Sequence, residues 1–121
     1  MRLPRRLTYD ELRGVVWALR SVRTARHQLR RTGYQAISLP RVPSRPEASA
    51  RGVRIVLHRL PATCLERAVI LQRWRASLGD PRDVVVGVVG TGEAFRAHAW
   101  LDDEQPADDV TAYRELVRIH P

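Results

Sequence analysis

The chain has no lysine, one cysteine, one methionine and one phenylalanine among its 121 residues. It also has no apolar run approaching the ~20 residues that a helix needs to cross a bilayer. Each scarcity excludes something. A lone cysteine cannot form an internal disulfide, so no disulfide framework holds the fold and nothing argues for an oxidising compartment. Without a long apolar run no membrane-spanning helix is expected. The basic start, MRLPRRLTYDEL, leads into an apolar stretch that Arg13, Arg20 and Arg23 interrupt, and no small-residue cleavage site follows. No export signal is expected, and the cytoplasm is the expected location. Internal repeats and low-complexity segments are absent as well. That all 21 basic residues are arginine is a pattern that GC-rich bacterial coding produces without a chemical cause.

What remains is an ordinary apolar fraction of 44% in a chain of a length that makes one compact domain the default. The charge is uneven. Residues 1–60 hold 14 arginines against Asp10, Glu11 and Glu47, about +11, whereas residues 61–121 hold 7 against 10 acids, about −3. Such asymmetry suits an anionic partner for the first half, nucleic acid or an acidic polypeptide, or else arginines that only solubilise helix faces.

Thr8 and Glu11 form a capping box, in which each side chain bonds the other residue's backbone N–H. Leu12, Val15, Val16, Leu19, Val22 and Leu29 follow at helical spacing, so a long amphipathic helix is predicted from Tyr9 to Arg31, stopped by Gly33. Its other face carries Arg13, Arg20, Arg23, Arg30 and Arg31. Pro40, Pro43 and Pro46 exclude regular helix or central strand and make the next segment a linker or wrapping arm. Residues 1–46 thus read as a basic helix with a proline-rich linker, and residues 47–121 as the core.

In the core, Ala50, Val53, Leu57 and Leu60 predict a helix from Glu47 to about Leu60, ended by Pro61. A second capping box, Thr63 and Glu66, opens a helix from Cys64 to about Leu78 with Gly79 as its cap. Residues 65–74 are apolar on more than one face, as a central helix requires. Asp83 to Gly90 is a β-branched apolar run, read as a strand covered on both faces. A turn at Gly90, Thr91 and Gly92 leads to FRAHAWL, in which Phe95, Ala97, Ala99 and Leu101 point one way and Arg96, His98 and Trp100 the other. The two strands form a hairpin. Beyond a polar turn, Val110, Tyr113 and Val117 at helical spacing predict a last helix capped by Asp108 or Asp109. The fold class is therefore α+β.

Cys64 would be the first residue of its helix, where the dipole and the unpaired N–H groups favour thiolate over thiol. Its own amide is one donor for an oxyanion. Of the four histidines, His27, His58 and His120 belong to the basic helix, the linking helix and the C-terminus. His98, in an apolar strand beside a glycine-bounded turn, is the best-placed proton carrier, held against a neighbouring helix. Asp102 shares its face but lies about 13 Å further along the strand. Asp108 or Asp109, after the chain turns back, is the better partner for the imidazole, or else a helix cap. Cys64 as a small buried hydrophobe and His98 as a satisfied sheet histidine are the bland alternatives. The histidines show no metal-ligand spacing, so no metal or other cofactor is expected.

CLERAVILQRW, the strand VVVGVV, FRAHAWL and a downstream aspartate together resemble the standalone leader peptidase of lasso-peptide biosynthesis, over roughly residues 50–113. The resemblance implies a transglutaminase-like, papain-related fold, with N-terminal helices and a central nucleophile helix on a small antiparallel sheet. It implies a cysteine peptidase that cuts the leader from a ribosomally made precursor and frees the amine that a separate cyclase joins to an acidic side chain. Cys64 matches the nucleophile and His98 the base and acid. Where the family has a glycine turn and a short strand, this chain has DDEQPADD, so the orienting carboxylate is Asp109 or Asp108. The implied partners are the precursor peptide, a separate leader-recognition protein and the cyclase, with no nucleic acid and no membrane. Two other readings are a transglutaminase-like acyltransferase and a basic nucleic-acid-binding module.

Overall fold

The computed structural model describes residues 6–33, 37–102 and 113–121. Three helices, α1 (Tyr9–Arg31), α2 (Pro46–Arg59) and α3 (Cys64–Ser77), precede three strands, β1 (Val84–Val89), β2 (Arg96–Leu101) and β3 (Arg114–Ile119). The expected α+β arrangement is present. Both capping boxes form, with the threonine hydroxyl accepting from the glutamate N–H and the glutamate carboxylate accepting from the threonine N–H. Gly79 follows α3 in the left-handed region, at φ 82°, which glycine adopts without Cβ strain. Pro46 opens α2 at its first position, where a missing N–H costs nothing.

The core draws on every helix and on the sheet: Trp17, Ala18, Val22, Val53, Leu57 and Ile70 meet Val84, Ala99 and Leu101. A side chain as fully enclosed as that of Ile70 contributes about 1.5–3 kcal/mol relative to exposure. The face that α1 buries is not the bulky stripe the spacing suggested. Its buried residues are Glu11, Gly14, Trp17, Ala18, Ser21, Val22 and Ala25, whereas Leu12, Val16 and Leu19 stand in solvent. The reason is α2. A Cβ at Gly14 would lie 2.3 Å from the Ser49 carbonyl oxygen, and one at Gly52 would lie 1.9 Å from the Glu11 carbonyl oxygen. The two helix backbones touch, so small residues must fill the seam.

The proline-rich arm wraps α1 as expected. The Trp17 Nε1–H donates to the Pro40 carbonyl at 2.9 Å, and Gln28 exchanges two hydrogen bonds with the Ser38 backbone.

The sheet order is β2-β1-β3, antiparallel throughout. The hairpin pairs Val84 with Leu101 through to Val89 with Arg96. One expectation fails here: residues 114–119 form a strand and not the last helix. β1 has a second edge of unpaired N–H and C=O groups that must be satisfied. Val117 and Ile119 alternate with Arg118, so this segment covers that edge, with Val117 opposite Val86 and Ile119 opposite Val84. A bulge between Val86 and Gly87 shifts the register. Gln72 of α3 donates to the carbonyls of Arg82 and Ile119, both at 2.8 Å, and ties the helix to β3 and to the segment that leads into β1. No helix among the described residues is long and apolar enough to cross a membrane.

Candidate active site

Cys64 is the first residue of α3, as the capping box predicts, and is half-buried against the core. As N1 its amide has no partner within the helix. The turn before it is held by arginines. Arg26 of α1 donates to the Pro61 carbonyl at 2.7 Å and to both oxygens of Glu66, and Arg67 donates to the carbonyls of Leu60 and Ala62. Glu66 is itself buried and caps Thr63 at 3.0 Å. Arg26 thus clamps the chain on both sides of the cysteine, a role that sequence reasoning did not assign. The signal was available: Arg26 lies between Val22 and Leu29, inside the apolar register of α1, where a merely solvated arginine has no place.

His98 lies on β2, the strand on which α3 packs, and is half-buried. His27, His58 and His120 are exposed, as expected. The orientation of His98 differs from expectation. Ala99 and Leu101 take the face toward the helices, so the imidazole stands on the other face, and its ring contacts are aromatic rather than helical. Its ring stacks on Trp100 at 5.7 Å with the planes 23° apart, and Tyr113 lies 5.8 Å away on a tilt. Gly87, directly across the ladder from His98, makes this cluster possible, because a Cβ there would meet the Trp100 ring at 2.8 Å and Tyr113 Cβ at 3.0 Å. Tyr113 escaped sequence reasoning because the segment was read as helix. Among the described residues no hydrogen bond joins the Cys64 thiol to the His98 ring.

Asp102 accepts a hydrogen bond from Arg118 at 2.8 Å. Asp108 and Asp109 lie outside the described residues. Among the described residues no group of histidine, cysteine and acidic side chains is arranged to hold a metal.

A family model described as the transglutaminase-like superfamily matches residues 9–119, nearly the whole chain. The chain belongs to this superfamily. No curated protein and no solved structure gives a significant match. Transglutaminase-like proteins are typically cysteine-dependent enzymes, with cysteine peptidases and acyltransferases among them. The matched residues take in α1, the arm and α2.

The Glu66 carboxyl caps the turn that carries Cys64 and pairs with Arg26. Burial pushes its pKa up, but the Thr63 N–H and Arg26 outweigh burial and hold it below its ordinary 4.5. A carboxylate favoured by folding stabilises at pH above its unfolded value, and the contribution fades as pH falls below 4.5 through the lower folded value. Glu66→Gln should therefore cost about 2 kcal/mol at pH 7, with the exposed flank of Arg26 keeping the loss modest. By pH 3 the gap between variant and wild type should narrow, and urea melts at the two pH values measure it.

Proposed function

We propose that this protein is a cysteine peptidase that cuts the leader from a ribosomally made precursor in lasso-peptide biosynthesis. The observation that carries the reading is Cys64, first residue of a helix whose N-terminus is held by a capping box and by Arg26. CLERAVILQRW and FRAHAWL, quoted above, supply the resemblance that selects the substrate class.

In this reading His98 takes the Cys64 proton, and the thiolate attacks the carbonyl carbon of the leader's last residue. The oxyanion faces the Cys64 amide at the positive end of α3. Collapse breaks the peptide bond, leaves the leader as a thioester and passes the His98 proton to the departing amine of the core peptide. His98 then activates water, which hydrolyses the thioester and releases the leader acid. Asp109 or Asp108 orients the imidazole, and a separate recognition protein presents the leader. The His98 ring stands on the face of β2 away from α3, so in this reading substrate binding brings the imidazole round the free edge of β2 to the thiol.

Mass spectrometry of the products tests the chemistry. With precursor and recognition protein present, two free fragments that sum to the precursor plus one water are expected. Leader mass retained on an amine would instead mean acyl transfer, and an uncut precursor would remove the peptidase reading.

A further inference from the structure

The stripe that α1 leaves unburied is more than spare surface. Leu12, Val16 and Leu19 are 48%, 54% and 41% exposed, on a helix whose core contacts are made elsewhere. Together with Tyr9 they span eleven residues, about 15 Å along the axis. The arm runs beside them. Val42 and Pro43 form the second wall of a groove of about 770 Å³, with Trp17 at its base. That wall is fixed, because Trp17 holds Pro40 and Arg13 donates to the Ser44 hydroxyl at 3.3 Å. Arg13, Arg20 and Arg41 stand around the rim. The groove thus has an apolar floor, two anchored walls and a rim of one charge.

From this geometry we infer that the groove between α1 and the arm docks an amphipathic, acid-flanked helical segment of a partner polypeptide. Three turns of helix match the length of the stripe, with apolar residues at i, i+3, i+4 and i+7 covering Leu12, Val16 and Leu19, and acidic residues beside them meeting the rim. Two other occupants fit less well. A second copy of this chain would bring the same arginines against themselves in a two-fold contact. Nucleic acid would satisfy the arginines but leave the aliphatic side chains uncovered, and the most exposed ring, Tyr9, already carries the Arg13 guanidinium 5.9 Å from its centre. The inference rests on the groove alone and goes beyond the thiol chemistry proposed above.

The test is fluorescence polarisation of the full chain with a labelled three-turn peptide carrying leucines at i, i+3, i+4 and i+7 and glutamates on the flanks. Saturable binding is expected. Replacing the peptide's leucines with serine, or Val16 of the protein with aspartate, should each weaken it about tenfold or more. Leu12→Ser should weaken it in the same direction, and because both positions are exposed and line the groove, unchanged circular dichroism confirms that the variants fold. Cys64→Ala should bind as wild type does, which separates this surface from the nucleophile. Absence of binding, or binding indifferent to Val16→Asp, overturns the inference. So does displacement by a single-stranded oligonucleotide that binds wild type and Val16→Asp alike, which would make the surface a nucleic-acid site. A dimer in sedimentation that Val16→Asp dissociates would assign the groove to a second copy and overturn it as well.

Discussion

Cys64→Ala should reduce turnover of the precursor by a factor on the order of 10⁴ or more, with the fold intact. Alanine at the first position of α3 keeps the capping box, the Arg26 clamp and the backbone amide, and loses only the sulfur. In the proposed reaction only the Cys64 sulfur forms the covalent intermediate, so its removal should leave no more than slow attack by water. His98→Ala should cost about as much, because nucleophile and base act as one unit and removing either removes the unit. Alkylation by iodoacetamide distinguishes chemistry from damage without any substrate. Wild type should be alkylated at Cys64 faster than His98→Ala, with the circular dichroism of the two proteins the same. Retention of more than about a hundredth of wild-type turnover by Cys64→Ala would show that the nucleophile lies elsewhere, since losses at a true nucleophile are far larger.

Gly52→Ala should destabilise the protein by about 3 kcal/mol, although alanine is the better helix former by about 1 kcal/mol. The new Cβ would sit 1.9 Å from the Glu11 carbonyl oxygen and 2.8 Å from the Val15 nitrogen. Both are backbone atoms in the first turns of α1, so no side chain can swing aside and the helices must separate. Separation loosens Val53, Val56 and Leu57 from Trp17 and Ala18, which are all buried. For a chain of this size the loss corresponds to a fall of about 10 °C in Tm. Arg54→Ala, on the exposed face of α2, is the control that should change little. A Gly52→Ala protein as stable as wild type would mean that the helices do not cross at this seam.

What the sequence made legible was whatever local chemistry determines. The capping boxes at Thr8 and Thr63 specify where α1 and α3 begin, because each needs only residues three apart. The alternation in FRAHAWL specifies the hairpin, because period two admits one register. What it hid was decided by distant partners. Val117 and Ile119 fit a helix or a strand, and the free edge of β1 settled the choice. Leu12, Val16 and Leu19 have the spacing of a buried face, and the glycine seam with α2 turned a different face inward. The candidate nucleophile and histidine were legible because they sit on those local elements, whereas Trp100, Tyr113 and Arg26 gain their roles from contacts across the fold.

Both capping glutamates are also bound from another helix: Arg51 of α2 reaches Glu11 at 3.4 Å, and Arg26 of α1 reaches Glu66 at 3.3 Å. A helix end ordinarily frays alone, at little cost and many times before the protein opens as a whole. Here the first turn of α3 cannot unwind without releasing an arginine of α1, and the first turn of α1 cannot unwind without releasing one of α2. Local opening at Cys64 is thereby joined to the cooperative unit of all three helices, which holds the backbone amide at that position in place.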